Sequence, residues 1–131
     1  MLTRLYVKNY KTLMEFKCSL GARQLLLGGN GSGKSAVVEI LELVRDFCVR
    51  GVPLDGRVQE ETRTHWVIDP EQEIELEVIL PSGRLVIYKL VLHTRGEPAR
   101  PAVAFEELRH KDEPLVRVQY GELELQSFDH P

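Results

Sequence analysis

A chain of 131 residues with 43% hydrophobic side chains is the size of one domain and apolar enough to form a core, which excludes a disordered chain. A net charge of −3 offers no bulk attraction to nucleic acid or to an anionic membrane. With no run of about 18 apolar residues and no signal-peptide stretch after Met1, the expected setting is cytoplasmic, with no membrane partner.

The first predicted strand covers residues 2–8. Leu5 and Val7 face one way, and Arg4, Tyr6 and Lys8 the other. Asn9, Tyr10, Lys11 and Thr12 read as a turn. A second short strand runs over residues 14–19, with Met14, Phe16 and Cys18 on one face. After a turn at Leu20, Gly21 and Ala22, residues 23–27 read as a third strand, buried on both faces because it is nearly all apolar.

That strand runs into Gly28, Gly29, Asn30, Gly31, Ser32, Gly33, Lys34 and Ser35. These residues match the P-loop pattern G-x-x-x-x-G-K-[S/T], in the strand–loop–helix setting that gives the pattern meaning. The glycines at 28, 29, 31 and 33 permit positive φ and leave backbone N–H groups free to turn toward an anion. The helix start adds further unpaired N–H groups and the positive end of its dipole. Lys34 is expected at the β- and γ-phosphates of ATP, and the Ser35 hydroxyl on Mg²⁺. The alternative is a Gly-rich turn that ends by chance in Lys-Ser.

Residues 34–49 form the clearest helix. Val37, Ile40, Leu41, Val44, Phe47 and Cys48 make one apolar stripe, with Glu39, Glu42, Arg45 and Asp46 off it. Gly51 and Pro53 stop it, and residues 54–63 read as a loop. Residues 73–80 alternate, with Ile74, Leu76, Val78 and Leu80 opposite Glu73, Glu75 and Glu77. Pro81, Ser82 and Gly83 turn the chain into a strand over 84–93, giving a hairpin. Residues 102–108, 115–119 and 122–125 are three more strand candidates. The expected fold is α/β, taking an α+β form here, in which one strand–P-loop–helix unit precedes a mainly antiparallel sheet. Cys18 and Cys48 have no metal-ligand spacing and are expected reduced and partly buried. The four histidines read as surface or loop residues, and the acidic run Glu71, Glu73, Glu75 and Glu77 as a solvated strand face rather than a cation site.

Two motifs carry a family resemblance. Leu5 to Thr12 looks like the opening N-F-[K/R]-[S/T] element of ABC-type ATPase heads, with Tyr10 in place of Phe. Gly28 to Ser35 looks like their G-x-N-G-S-G-K-S loop. The chain resembles the N-terminal part of such a head, of the SMC/RecF group and of the AAA-like ATPases related to the OLD and anti-phage families. Tyr88 to Leu90 and Val103 to Leu108 are similar to the β-lobe that follows the first helix. The resemblance implies a single, incomplete N-terminal ATP-binding lobe, ATP hydrolysis only in the complete protein, a homodimer or partner ATPase lobe, and DNA or a nuclease as further partners. It also implies adenine beside the turn at 9–12, with little discrimination between ATP and GTP.

No residue is assigned a catalytic role. Trp66 to Glu71 and Ala102 to Glu107 mimic a Walker B strand, which would make Asp69 a Mg²⁺ ligand or Glu107 a base. The competing readings are an Asp-Pro turn and an ordinary strand. Two other functions remain beside the ATPase: a remnant lobe that binds a protein partner without turnover, and a small P-loop kinase, against which the sheet-rich second half argues.

Overall fold

The computed structural model describes residues 1–54, 57–58, 60–64, 69–96 and 98–125. Nine elements follow in order: β1 (Leu2–Tyr10), β2 (Leu13–Ser19), α1 (Lys34–Arg50), a 3-10 turn (Glu60–Thr62), β3 (Glu71–Ile79), β4 (Leu85–Arg95), β5 (Arg100–His110), β6 (Glu113–Gln119) and β7 (Glu122–Leu125). The strands form one sheet of order β2-β1-β3-β4-β5-β6-β7, antiparallel at every pairing. The fold of the described residues is therefore α+β, one α-helix against an antiparallel sheet in which β3 to β7 follow as a meander and β1 lies between β2 and β3. Among the described residues no helix is long and apolar enough to cross a membrane.

The period-2 pattern of β1 and β3 decides which sheet face is covered. Leu5 and Val7 lie opposite Leu76 and Ile74, and all four are buried. The apolar stripe of α1 lies against them, so Val37, Ile40, Leu43 and Val44 share one core with Leu90, Leu92, Tyr10 and Leu13. The other face carries cross-strand ion pairs. Arg4 reaches Glu75, Lys89 reaches Glu73 at 2.8 Å, and Arg117 reaches Glu107 at 2.6 Å. The glutamates of β3 are half-buried rather than fully solvated, and Glu73, Glu75 and Glu77 meet cations from the neighbouring strands and Arg109.

Several expectations need correction. Residues 23–27 form no strand, and Leu25 and Leu27 are 74% and 83% exposed. A strand needs a neighbour for its N–H and C=O groups. Both edges of β1 are taken, by β2 and β3, and residues 23–27 pair with no strand among the described residues, not even along the open outer edge of β2. Only Leu26 reaches the core. In β2, Leu13 is buried while Met14 is 50% exposed.

In α1, Asp46 is buried rather than off the covered face. Its carboxylate accepts from Arg45 at 3.0 Å, Arg50 at 3.3 Å and Arg57 at 2.6 Å, which fastens the following segment to the helix. Its backbone carbonyl accepts from the N–H groups of Gly51 and Val52 and closes the helix end. Cys48 is exposed, because it lies in the last turn, where Val49 and Arg50 are exposed too. Both cysteines are free. His93 and His110 are half-buried strand residues rather than loop residues. His65 and His130 lie outside the described residues, as do Trp66 to Ile68.

Candidate functional site

The P-loop residues connect the unpaired segment to α1, whose start is built differently from an ordinary helix start. Its cap position is Gly33, at φ 100°, with no side-chain cap and no acid in the first turn. A Cβ at Gly33 would approach Leu13 Cδ2 to 2.8 Å, so the loop needs glycine there for both conformation and space. Gly31 also has positive φ, at 79°, whereas Gly28 and Gly29 do not. The loop therefore uses the freedom of glycine at two of the four positions where the sequence permits it.

The first helical N–H to find a carbonyl is that of Val37, bonded to Gly33 at 3.1 Å. Helix geometry leaves the N–H groups of Lys34, Ser35 and Ala36 without intrahelical partners. An N-terminus without a side-chain cap and without an acid in its first turn is the electrostatic environment that an anion favours. The motif's own cation lies over the loop. Lys34 Nζ donates to the Gly28 carbonyl, to the Gly29 carbonyl at 2.7 Å and to Ser32 Oγ at 3.4 Å. An ammonium has three N–H donors, so an entering anion has to share or displace one of these bonds.

A cleft of about 270 Å³ opens in front of this start. The loop and helix supply Asn30, Gly31, Gly33, Lys34, Ser35 and Ala36, and the turn after β1 supplies Lys11 and Thr12. Glu39 closes the far side, ion-paired to Lys11 and within 3.4 Å of the Tyr10 hydroxyl. Burial and the Glu39 charge push the Tyr10 hydroxyl up to about 12, so it keeps its proton at neutral pH and donates to Glu39. Sequence reasoning named the whole loop but not Glu39, which it placed on the solvated helix face. The available signal was spacing, because Glu39 lies one turn beyond Ser35 on the same side of α1.

Asn9 fixes the turn that faces the loop. It is fully buried at φ 60°. Its amide donates to the carbonyls of Asp69 at 2.7 Å and Glu71 at 2.8 Å, and its Oδ1 accepts from the Thr64 N–H at 2.9 Å. Gln72 donates to the Asn9 carbonyl at 3.0 Å, and the Lys11 N–H donates to the Thr62 carbonyl at 2.6 Å. The Lys11–Thr12 wall of the cleft is thereby tied to Thr62, Thr64, Asp69, Glu71 and Gln72.

The acids of the two Walker B mimics, Asp69 and Glu107, do not join the cleft. Asp69 accepts from Lys8 at 2.8 Å and from the Glu71 N–H at 2.9 Å, and the Lys8 bond holds its carboxyl below the usual carboxylate range. Glu107 lies in β5 and is held by Arg117. Neither lines the cleft.

The fold has a solved counterpart. No protein-family model matches the sequence, and no curated protein matches it. A structure from work on the ATP-driven dimerization and DNA-stimulated activation of SMC ATPases superposes with a TM-score of 0.59 at 14% identity, covering 83% of this chain and 69% of that one. At that identity the likeness is one of fold. The chain shares the architecture of an SMC ATPase structure, which agrees with the ABC-type resemblance and does not reach the finer RecF or OLD groups.

Proposed function

We propose that this chain is a nucleotide-binding lobe of an ABC-type ATPase and that it holds Mg-ATP at residues 28–35. The observation that carries the reading is the start of α1. The P-loop pattern, an uncapped helix N-terminus, a first turn without acid and the Lys34 ammonium meet at one cleft. These groups fit a polyphosphate. Lys34 would neutralise phosphate oxygens, the N–H groups of residues 33–36 would donate to them, and Ser35 Oγ would supply one ligand to Mg²⁺. The bound metal would neutralise charge on the phosphates.

Turnover is a further demand. It needs an acid to orient water and charge stabilisation from beyond the loop, and Asp69 and Glu107 are both engaged elsewhere. We therefore assign hydrolysis to a complete, dimeric assembly in which a second lobe supplies the missing groups. The SMC likeness supports a homodimer and a DNA partner. The second reading, an interaction module without turnover, is favoured by that same engagement of both acids.

Isothermal titration tests the site. Lys34→Ala should bind Mg-ATP at least tenfold more weakly, since a charge-assisted contact contributes about 1.5–3 kcal/mol. Equal affinity in variant and wild type would overturn the assignment.

A further inference from the structure

The cleft contains one group that an anion site does not explain. Among the described residues lining it, Glu39 is the only carboxylate, and a carboxylate repels phosphate. Its placement follows from the helix. It lies four residues beyond Ser35, about 6 Å along the axis at 1.5 Å per residue, so the cleft has a cationic end at the loop and an acidic end one turn away. Polyphosphate belongs at the first end. The second suits a neutral group that carries hydroxyl donors.

Glu39 is also held ready to accept them. Lys11 and the Tyr10 hydroxyl both contact Oε2, which fixes the rotamer and screens the charge. Oε1 accepts from no described residue. The side chain is 41% exposed, so a ligand can reach it. A carboxylate that takes up sugar hydroxyls beside a phosphate-binding helix start is a recurring solution to nucleotide recognition.

We propose that Glu39 is the sugar-reading residue of this site: Oε1 accepts hydrogen bonds from the ribose hydroxyls of the bound nucleotide, while Lys11 and Tyr10 hold the carboxylate in position. The site then prefers ribonucleotides to ligands that lack those hydroxyls. This rests on the nucleotide reading above, and it fixes the ligand's direction in the cleft, with phosphates on the loop and sugar toward the β1–β2 turn.

The test is titration of wild type, Glu39→Ala and Lys34→Ala with the magnesium complexes of ATP, 2′,3′-dideoxy-ATP and inorganic tripolyphosphate. Wild type should bind ATP about tenfold more tightly than the dideoxy analogue, the ratio expected when one charge-assisted hydrogen bond is lost. In Glu39→Ala that ratio should fall to about one, with tripolyphosphate bound as tightly as before or more tightly, because Lys11 is released. An ATP-to-dideoxy ratio unchanged by Glu39→Ala overturns the proposal. So does a loss of tripolyphosphate affinity as large as the loss of ATP affinity, which would make Glu39 a metal or loop-shaping residue. Failure of the underlying reading looks different: tripolyphosphate would then fail to bind wild type, or would bind Lys34→Ala equally well.

Discussion

Replacing Asn9 with alanine tests whether the turn beside the P-loop is held by side-chain hydrogen bonds. The change orphans the carbonyls of Asp69 and Glu71 and the N–H of Thr64, all three bonded to this one amide. At about 1 kcal/mol for each buried group that loses its partner, the loss is about 3 kcal/mol. Alanine at φ 60° adds about 1 kcal/mol, because its Cβ is strained in the left-handed region that asparagine tolerates. The sum of about 4 kcal/mol is a large share of an ordinary domain's 5–15 kcal/mol. For a chain of this size it corresponds to a fall in Tm of about 15 °C.

Urea and thermal denaturation followed by far-ultraviolet circular dichroism measure both quantities. Asn9→Asp separates the two contributions. Aspartate accepts the left-handed conformation and keeps the acceptor for Thr64, yet it sets a carboxylate against two carbonyls, so at pH 7 it should cost at least as much as alanine. If Asn9→Asp lies within about 1 kcal/mol of wild type, the hydrogen-bond argument is refuted and only the backbone term survives. Both variants should also weaken Mg-ATP binding, because Lys11 and Thr12 lose their anchor.

Asp46 yields a pH prediction. Burial alone would raise its carboxyl, but the Arg45 hydrogen bond and the charges of Arg45, Arg57 and Arg50 outweigh burial and hold it below the ordinary value of 3.8. A group depressed in the folded state stabilises fully above its unfolded value and loses that contribution as pH falls through the folded one. Asp46→Asn should therefore lower the denaturation midpoint at pH 7, and the gap to wild type should narrow below about pH 4; a gap as wide at pH 3 as at pH 7 defeats the assignment. For turnover, phosphate release from the gel-filtered chain should match the Lys34→Ala background. A rate on the order of 1 s⁻¹ that disappears in that variant would show that a described acid, Asp69 and Glu107 first, reaches the nucleotide after all.

The local patterns were legible in the sequence because each depends on neighbours a few residues away. Alternation in residues 73–80 gave the covered face of β3, the stripe from Val37 to Phe47 gave α1, and Gly33-Lys34-Ser35 gave the loop. Tertiary structure alone decided what depends on distant partners. Arg23 to Leu27 has the composition of a buried strand, but a strand exists only where another chain segment takes its hydrogen bonds, and no described strand pairs with it. Asp46 looked like a surface acid until Arg57 came back along the chain to meet it. Glu39 has the spacing that sets it one turn beyond Ser35 on the same side of α1, yet within the helix it reads as a solvated acid. An ion pair between residues 28 positions apart has no signature within one helix, so only the fold shows that Lys11 and Tyr10 meet that carboxylate at the cleft.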